Sequence, residues 1–330
     1  MEDVRKMKVA GGERRFALYA WTTLAVNLLV ILWGAYVRAT GSGAGCGGHW
    51  PLCNGVVLPR APAVETVIEF THRLSSGLAL ILVLVLFFSA RRTYPSGSRI
   101  RSSSAAALAF MVLEALLGAG LVVFELVAGN TSVMRAAAGA LHLTNTFFLL
   151  ASLSLTASWS SRPIAGVRGR PPLARVALFA LGLLGVLLIG TTGAIAALGD
   201  TLFPSTSLLV GFQQDIEPGA SYLLRLRGLH PLIAIGVGLY LIVILRFLRS
   251  RAHILPTLSA GLLAIIFLQL TAGAVNVVLL APVWLQLIHL LLADGLWIGL
   301  VVYFDRVLFS GAAVGAGSEQ GGWTPSVPPN

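Results

Sequence analysis

Eight stretches of about twenty or more predominantly apolar residues leave this chain very few architectures. They run roughly over 16–37, 66–90, 104–128, 135–158, 174–197, 223–248, 256–280 and 284–308. About 20 apolar residues in a helix cross the ~30 Å hydrocarbon core of a bilayer. Of the 330 residues, 56% are hydrophobic and 11% charged, and mean hydropathy is +0.86, more apolar surface than a water-soluble domain can bury. Within lipid every backbone N–H and C=O must be satisfied inside the protein, so only helices and closed barrels span. Barrel strands would alternate apolar and polar residues over about ten positions, whereas these stretches are continuous. The expected fold class is an all-α membrane protein with eight transmembrane helices.

The net charge of +10 would suit a polyanion, but its distribution excludes nucleic acid as the partner. Arg5, Lys6, Lys8, Arg14 and Arg15 precede the first stretch. Arg91, Arg92, Arg99 and Arg101 lie between the second and third, and Arg162, Arg168, Arg170 and Arg175 between the fourth and fifth. Arg246, Arg249 and Arg251 follow the sixth, and Arg306 closes the eighth. These are 17 of the 23 basic residues, all at one side, which the positive-inside rule makes cytoplasmic. A multi-pass protein of the cytoplasmic membrane with both termini inside is expected. The first stretch lacks a small-residue cleavage site with suitable flanks and reads as a span, not as a signal peptide.

The two halves resemble each other at a nearly constant offset. Gly34 matches Gly190, 156 residues on; the Gly-Ala-x-x-Val-Val run at Gly118 recurs at Gly273, 155 on; His72 matches His230 at 158 and His142 matches His289 at 147. Four spans per half keep both halves in one orientation, a parallel repeat. Residues 16–160 and 174–308 are expected to form two four-helix bundles. A cytoplasmic N-terminus over 1–15, a cytoplasmic linker over 161–173 and a Gly-, Pro- and Ser-rich tail over 309–330, expected to be disordered, complete the chain.

His72, His142, His230 and His289 each fall a few residues inside the start of a separate stretch, always one entering from the outer side. A polar side chain in a membrane helix is costly and by default marks function. Each alone could be satisfied by a hydrogen bond to a neighbouring helix. Four in one layer, on the second and fourth helices of each half, suit two pairs of axial ligands for two flat metal cofactors, with haem the leading candidate. His49 and His253 fall in loops.

The first outer loop reads GSGAGCGGHWPLC over 41–53, and EFTHR follows at 69–73. The chain's two cysteines, Cys46 and Cys53, are both here. On an oxidising face they suit a disulfide, with two free thiols as the alternative; the spacing is not Cys-x-x-Cys-His, which covalent haem attachment needs. With LHLTN (141–145), GLHP (228–231) and QLIHLLLADG (286–295), this pattern resembles the heme A synthase family across essentially all of 16–308. Some members carry a second outer cysteine pair, which this chain lacks. The resemblance implies oxidation of the C8 methyl of haem O to a formyl group, giving haem A for terminal oxidases. It implies that His72 and His142 ligate the iron of substrate haem O, and that His230 and His289 ligate a resident haem b. Haem O, an electron donor of unknown identity, and haem O synthase or terminal oxidase assembly proteins are the expected partners.

Glu69 lies three residues before His72, one helical turn toward the outer face. It is either the catalytic carboxylate or a charge stabilised by the helix N-terminus; the resemblance favours catalysis. Six arginines, Arg38, Arg60, Arg73, Arg135, Arg225 and Arg227, stand on the outer side against the charge trend. All but Arg60 are candidate contacts for haem propionates, which bidentate guanidinium suits; lipid headgroups are the alternative. Glu114 and Asp294 sit within apolar sequence, with pairing, a proton route and helix packing all open. Two further function classes compete: a bis-histidyl di-haem electron carrier without haem modification, and a transporter, which would place polar residues nearer mid-membrane. Reporter fusions after Arg60 and Asp215 should score as external, and fusions after Gly97, Val167 and Gln320 as internal; the reverse pattern would overturn the outer placement of the histidines.

Overall fold

The computed structural model describes residues 2–162, 171–252 and 255–310. Over those residues it contains nine α-helices: α1 (Glu2–Ala39), α2 (Val64–Thr93), α3 (Arg99–Val123), α4 (Val133–Ser160), α5 (Leu173–Leu202), α6 (Leu208–Ile216), α7 (Tyr222–Ala252), α8 (Pro256–Val278) and α9 (Val283–Ser310), with a 3-10 turn at Ser42–Ala44. All except α6 are long and apolar enough to cross a membrane; the protein is an all-α, multi-pass membrane protein. The greater part of the linker, His253 and the tail beyond Ser310 lie outside the described residues.

Several features differ from expectation, α5 for one running on to Leu202 and not ending at residue 197. The first helix begins at Glu2, so the segment before the apolar run continues it. α6 was not foreseen: its nine residues, LLVGFQQDI, are too short to span and sit in a connection, where the Ser207 hydroxyl accepts the Val210 N–H to start a helix. α3 ends at Val123 and not at residue 128, although apolar residues continue. Glu125 and Ala128 take positive φ, which ends the helix whatever the hydropathy. The same closure recurs in the second half. Phe124 to Gly120, Glu125 to Val122 and Leu126 to Leu121 are matched by Leu279 to Val275, Leu280 to Val277 and Ala281 to Asn276, N–H to carbonyl, each 155 residues on.

In the first half α1 packs on α2, α2 on α3, α3 on α4 and α4 back on α1; in the second α5 packs on α7, α7 on α8, α8 on α9 and α9 back on α5. Two four-helix rings thus stand side by side, joined by α4 and α1 against α5 and α9. The large core runs through both rings but occupies the end away from the cysteine loop: Leu24, Leu86, Leu150, Phe179, Leu245, Ile266 and Phe304 are all in it. The histidine-bearing end holds only a small cluster around Ala136, Leu198 and Leu223.

The rings are fastened to each other by specific contacts. The Trp297 indole N–H donates to the Phe147 carbonyl at 2.6 Å, and the two rings stack at 5.2 Å. Arg38 reaches from α1 to the Ala197 carbonyl and Thr201 hydroxyl of α5 and to Gln286 Oε1 of α9, at 2.8–2.9 Å. Without a hydrophobic force between helices in lipid, such packing and hydrogen bonding carry association. Trp297→Ala should lower stability in detergent by about 3 kcal/mol or more, while Phe267→Ala, at a side chain 69% exposed, should change it by under ~1 kcal/mol; thermal unfolding followed by circular dichroism measures both.

Candidate functional site

The histidines fall into two pairs, one per ring. His72 on α2 and His142 on α4 lie within electrostatic range of each other, as do His230 on α7 and His289 on α9. In each ring the bearing helices are diagonal, so the imidazoles approach the bundle interior from opposite sides. Each imidazole rests on a glycine of the preceding spanning helix: α1, α3, α5 and α8 in turn. A Cβ at Gly34 would stand 2.8 Å from His72 Cε1, at Gly118 3.8 Å from His142 Cε1, at Gly193 3.0 Å from His230 Cε1 and at Gly273 3.2 Å from His289 Cε1. The Gly34 separation is too short for any real side chain and those at Gly193 and Gly273 are tight, so at these three places the missing Cβ gives the ring its room, while Gly118 is at ordinary contact distance. The structural counterpart of Gly34 is therefore Gly193. Gly190, matched to it from sequence, instead faces Phe147 of the other ring, because α4 crosses α5 there.

The Nδ1 atoms of His72, His142 and His289 are buried without a hydrogen-bond partner among the described residues, a condition that calls for an explanation in a native structure. His230 Nδ1 lies 3.1 Å from the Thr192 hydroxyl, and His289 Nε2 lies 3.3 Å from the Gln269 side-chain nitrogen. Paired imidazoles with underused nitrogens, glycine cradles behind them and sparse core around them fit a planar, iron-bearing macrocycle between each pair.

The cysteine loop closes over the first pair. Cys46 and Cys53 form a disulfide with Cα atoms 4.4 Å apart, and Thr66 of α2 donates to the Gly45 carbonyl at 2.7 Å. Glu69, 3% exposed, accepts the Cys46 N–H at 2.8 Å through Oε2, and through Oε1 the Arg73 guanidinium at 2.5 and 3.1 Å. Arg73 in turn donates to the loop carbonyls of His49 and Leu52 at 2.9 and 2.6 Å. Glu69 and Arg73 therefore tie the loop to the helix that carries His72.

The other arginines expected near propionates have varied partners. Arg38 makes the inter-ring bonds above, and Arg135, within electrostatic range of it, donates to the carbonyls of Ala128 and Asn130. Arg225 donates to the Pro218 carbonyl at 2.7 Å. Arg227 is ion-paired with Asp215 of α6 at 2.6 Å and Asp200 of α5 at 3.1 Å. Arg227 stands three residues before His230, as Glu69 stands three before His72, so matched positions carry opposite charge. The pairing of Arg227 with Asp200 and Asp215 was missed from sequence, because its partners lie on a helix the hydropathy did not reveal and at the end of another. Asp294 is fully buried, and its oxygens have no hydrogen-bond partner among the described residues.

Comparison with known proteins accords with this arrangement. A family model described as COX15-CtaA, cytochrome oxidase assembly protein, matches residues 17–301. The chain belongs to this family. It is similar to a protein of Thermus thermophilus named "Protoheme IX farnesyltransferase", 51% identical over 315 residues, covering 92% of this chain and 51% of that protein. It is similar also to proteins named "Heme A synthase" from Alkalihalophilus pseudofirmus, 42% identical over 111 residues (34% of this chain, 37% of that one), and from Bacillus cereus, 44% identical over 97 residues (29% and 31%). The chain spans about half the length, or less, of the relatives it matches. The family expected from the loop and histidine motifs is thus the one found, and the disulfide is the one the loop suggested. In the isolated protein neither Cys46 nor Cys53 should be alkylated until a reductant is added; mass spectrometry showing both modified without reduction would contradict the closed loop.

Proposed function

We propose that the protein is a heme A synthase, oxidising the C8 methyl of haem O to a formyl group to give haem A for terminal oxidases. Its two rings are copies of one four-helix unit, with histidines toward the outer face of the cytoplasmic membrane and both termini inside. The observation that carries the reading is the difference between otherwise matched sites. Both rings hold a glycine-cradled histidine pair, but only the first places a carboxylate, Glu69, one turn before a ligand and under a closed loop. The second has Arg227 there, bound to two aspartates.

On this reading His72 and His142 bind the iron of the substrate, and the disulfide loop limits water at its outer edge. Turning a methyl into a formyl group takes two oxygenations by dioxygen, each drawing two electrons from the donor and two protons and releasing one water, after which the gem-diol loses water to give the aldehyde; a carboxylate near that edge can pass those protons or stabilise an electron-poor carbon. Arg73 and the Cys46 N–H keep Glu69 aimed, each donating to one of its oxygens. His230 and His289 hold the resident haem b, whose chemistry when bound is one-electron relay. Arg38 and Arg135, bonded to carbonyls and to neutral side chains, are the arginines best placed to meet propionates. The Thermus relative supports a substrate made by haem farnesylation: the chain matches about half of a longer protein named for that reaction. A separate electron donor and terminal oxidase assembly proteins complete the partners.

The electron-carrier alternative rests on one observation, that Glu69 is already engaged in holding the loop. Variants separate the two. His230→Ala or His289→Ala should remove tightly held haem b, whereas His72→Ala or His142→Ala should retain it and abolish haem A formation, read by pigment extraction. Glu69→Gln should keep haem content while lowering haem A output by at least ~100-fold, in the range of general acid–base contributions. Haem A formation at the wild-type rate by Glu69→Gln would return Glu69 to a structural role and favour the carrier.

A further inference from the structure

Carboxylates inside membrane spans are rare and have a partner or a task. Glu114 lies on α3, four residues before Gly118, the glycine on which His142 rests. Its oxygens are gripped from α4. The Asn145 amide donates to Oε2 at 2.5 Å and the Thr146 hydroxyl to Oε1 at 2.6 Å. Asn145 also donates to the Phe110 carbonyl at 2.9 Å, fixing the amide between α3 and α4. His142 Nδ1 stands 3.4 Å from Oε1, at ion-pair distance though outside hydrogen-bond geometry, and has no hydrogen-bond partner among the described residues. An amide N–H, a hydroxyl and an imidazole nitrogen thus converge on one carboxyl group, and the two that donate leave it the role of acceptor. The second ring differs at the matching place: four residues before Gly273 stands Gln269, an uncharged amide next to His289.

We propose that Glu114 is a positioning residue for His142. It takes the Nδ1–H, so that Nε2 is the nitrogen offered to iron, and it makes the imidazole a stronger donor than His289, whose Nδ1 has no hydrogen-bond partner among the described residues. The inference rests on the reading of the histidines as ligand pairs. A carboxylate behind a ligating imidazole fixes its tautomer and raises its basicity, which stabilises the more positive, oxidised iron. One fold thereby sets two bis-histidyl sites apart in reduction potential: a carboxylate stands at the Nδ1 of His142, while at the matching position of the second ring an amide stands at the Nε2 of His289.

The test is a redox titration by visible absorption on the purified protein saturated with protohaem, so that both pairs are loaded. Glu114→Gln is nearly isosteric and keeps an acceptor for Thr146. We expect it to make one haem easier to reduce by about tenfold in the oxidised-to-reduced ratio, ~59 mV for one electron, and to leave the other unmoved. Glu114→Asp should retain most of the wild-type potential. Gln269→Glu should move the other haem the opposite way. Unchanged potentials in Glu114→Gln and Gln269→Glu, with both haems bound, would overturn the role of Glu114 and leave the ligand pairs standing. His142→Ala is the control on the pairing: retention of two bis-histidyl spectra would remove the ligand reading and this inference with it. If Glu114→Gln lost its haem, the Gln269→Glu shift decides, and its absence overturns the proposal.

Discussion

An imidazole in lipid must be given both room and a reason, and the rest of this structure follows from housing four of them. Room comes from glycine: a Cβ at Gly34, Gly193 or Gly273 would collide with, or crowd, the ring lying on it. Glycine lowers helix propensity by up to about 1 kcal/mol per residue, and the histidine end is sparsely filled. Cohesion therefore has to come from elsewhere. It comes from the opposite end, where leucine and aromatic side chains fill both rings in one cluster, and from the contacts between rings at Trp297, Phe147 and Arg38. One end holds the protein together, and the other is left free for function.

On that shared frame the two rings have been made chemically unlike by few residues. Glu69 stands against Arg227, and Glu114 against Gln269, at matching distances from a histidine or its glycine. The covers differ too. A disulfide loop tied down by Glu69 and Arg73 closes the first ring, while in the second Arg227 binds α6 through Asp215 and the Gly211 carbonyl. Arg227 and both aspartates are partly exposed, so water screens these pairs in part, and their grip rests on several hydrogen bonds to one guanidinium.

Much of this was legible in the sequence, for physical reasons that also mark the limit. Eight spans follow from lipid, which accepts no unsatisfied backbone, so hydropathy alone fixes their number. The histidines stand out because polar residues are rare in such helices, and the cysteines because there are two. Hydropathy could not place the end of α3, since Leu126 and Val127 are apolar and the break lies in the positive φ of Glu125 and Ala128. Nor could it reveal α6, whose cap at Ser207 is a local hydrogen bond in a connection. The offset of Gly34 was misassigned to Gly190 because small residues recur every three or four positions in α5, and only the ring lying on Gly193 distinguishes them. The partners of Glu114 had a signal that went unused. Asn145 and Thr146 lie three and four residues after His142, on the same helical face, the first closing the LHLTN run and the second just beyond it.

The cover of the first ring has a consequence for how its parts depend on one another. Glu69 is held by the backbone N–H of a disulfide-bonded cysteine and by an arginine whose remaining donors are spent on carbonyls of the same loop. Position of the carboxylate and closure of the loop are therefore one structural variable and not two. A loop that opens withdraws the Cys46 N–H and the carbonyls that orient Arg73, leaving a carboxylate at the membrane boundary with its geometry undefined. A carboxylate that is lost leaves the loop's buried N–H without an acceptor, at a cost of about 1–3 kcal/mol. The disulfide limits the first failure by covalently closing the loop. The two cysteines thus sit over the ring whose cover also positions Glu69, whereas the ring that carries Arg227 is covered through the ion pairs to Asp200 and Asp215 and the bond to the Gly211 carbonyl.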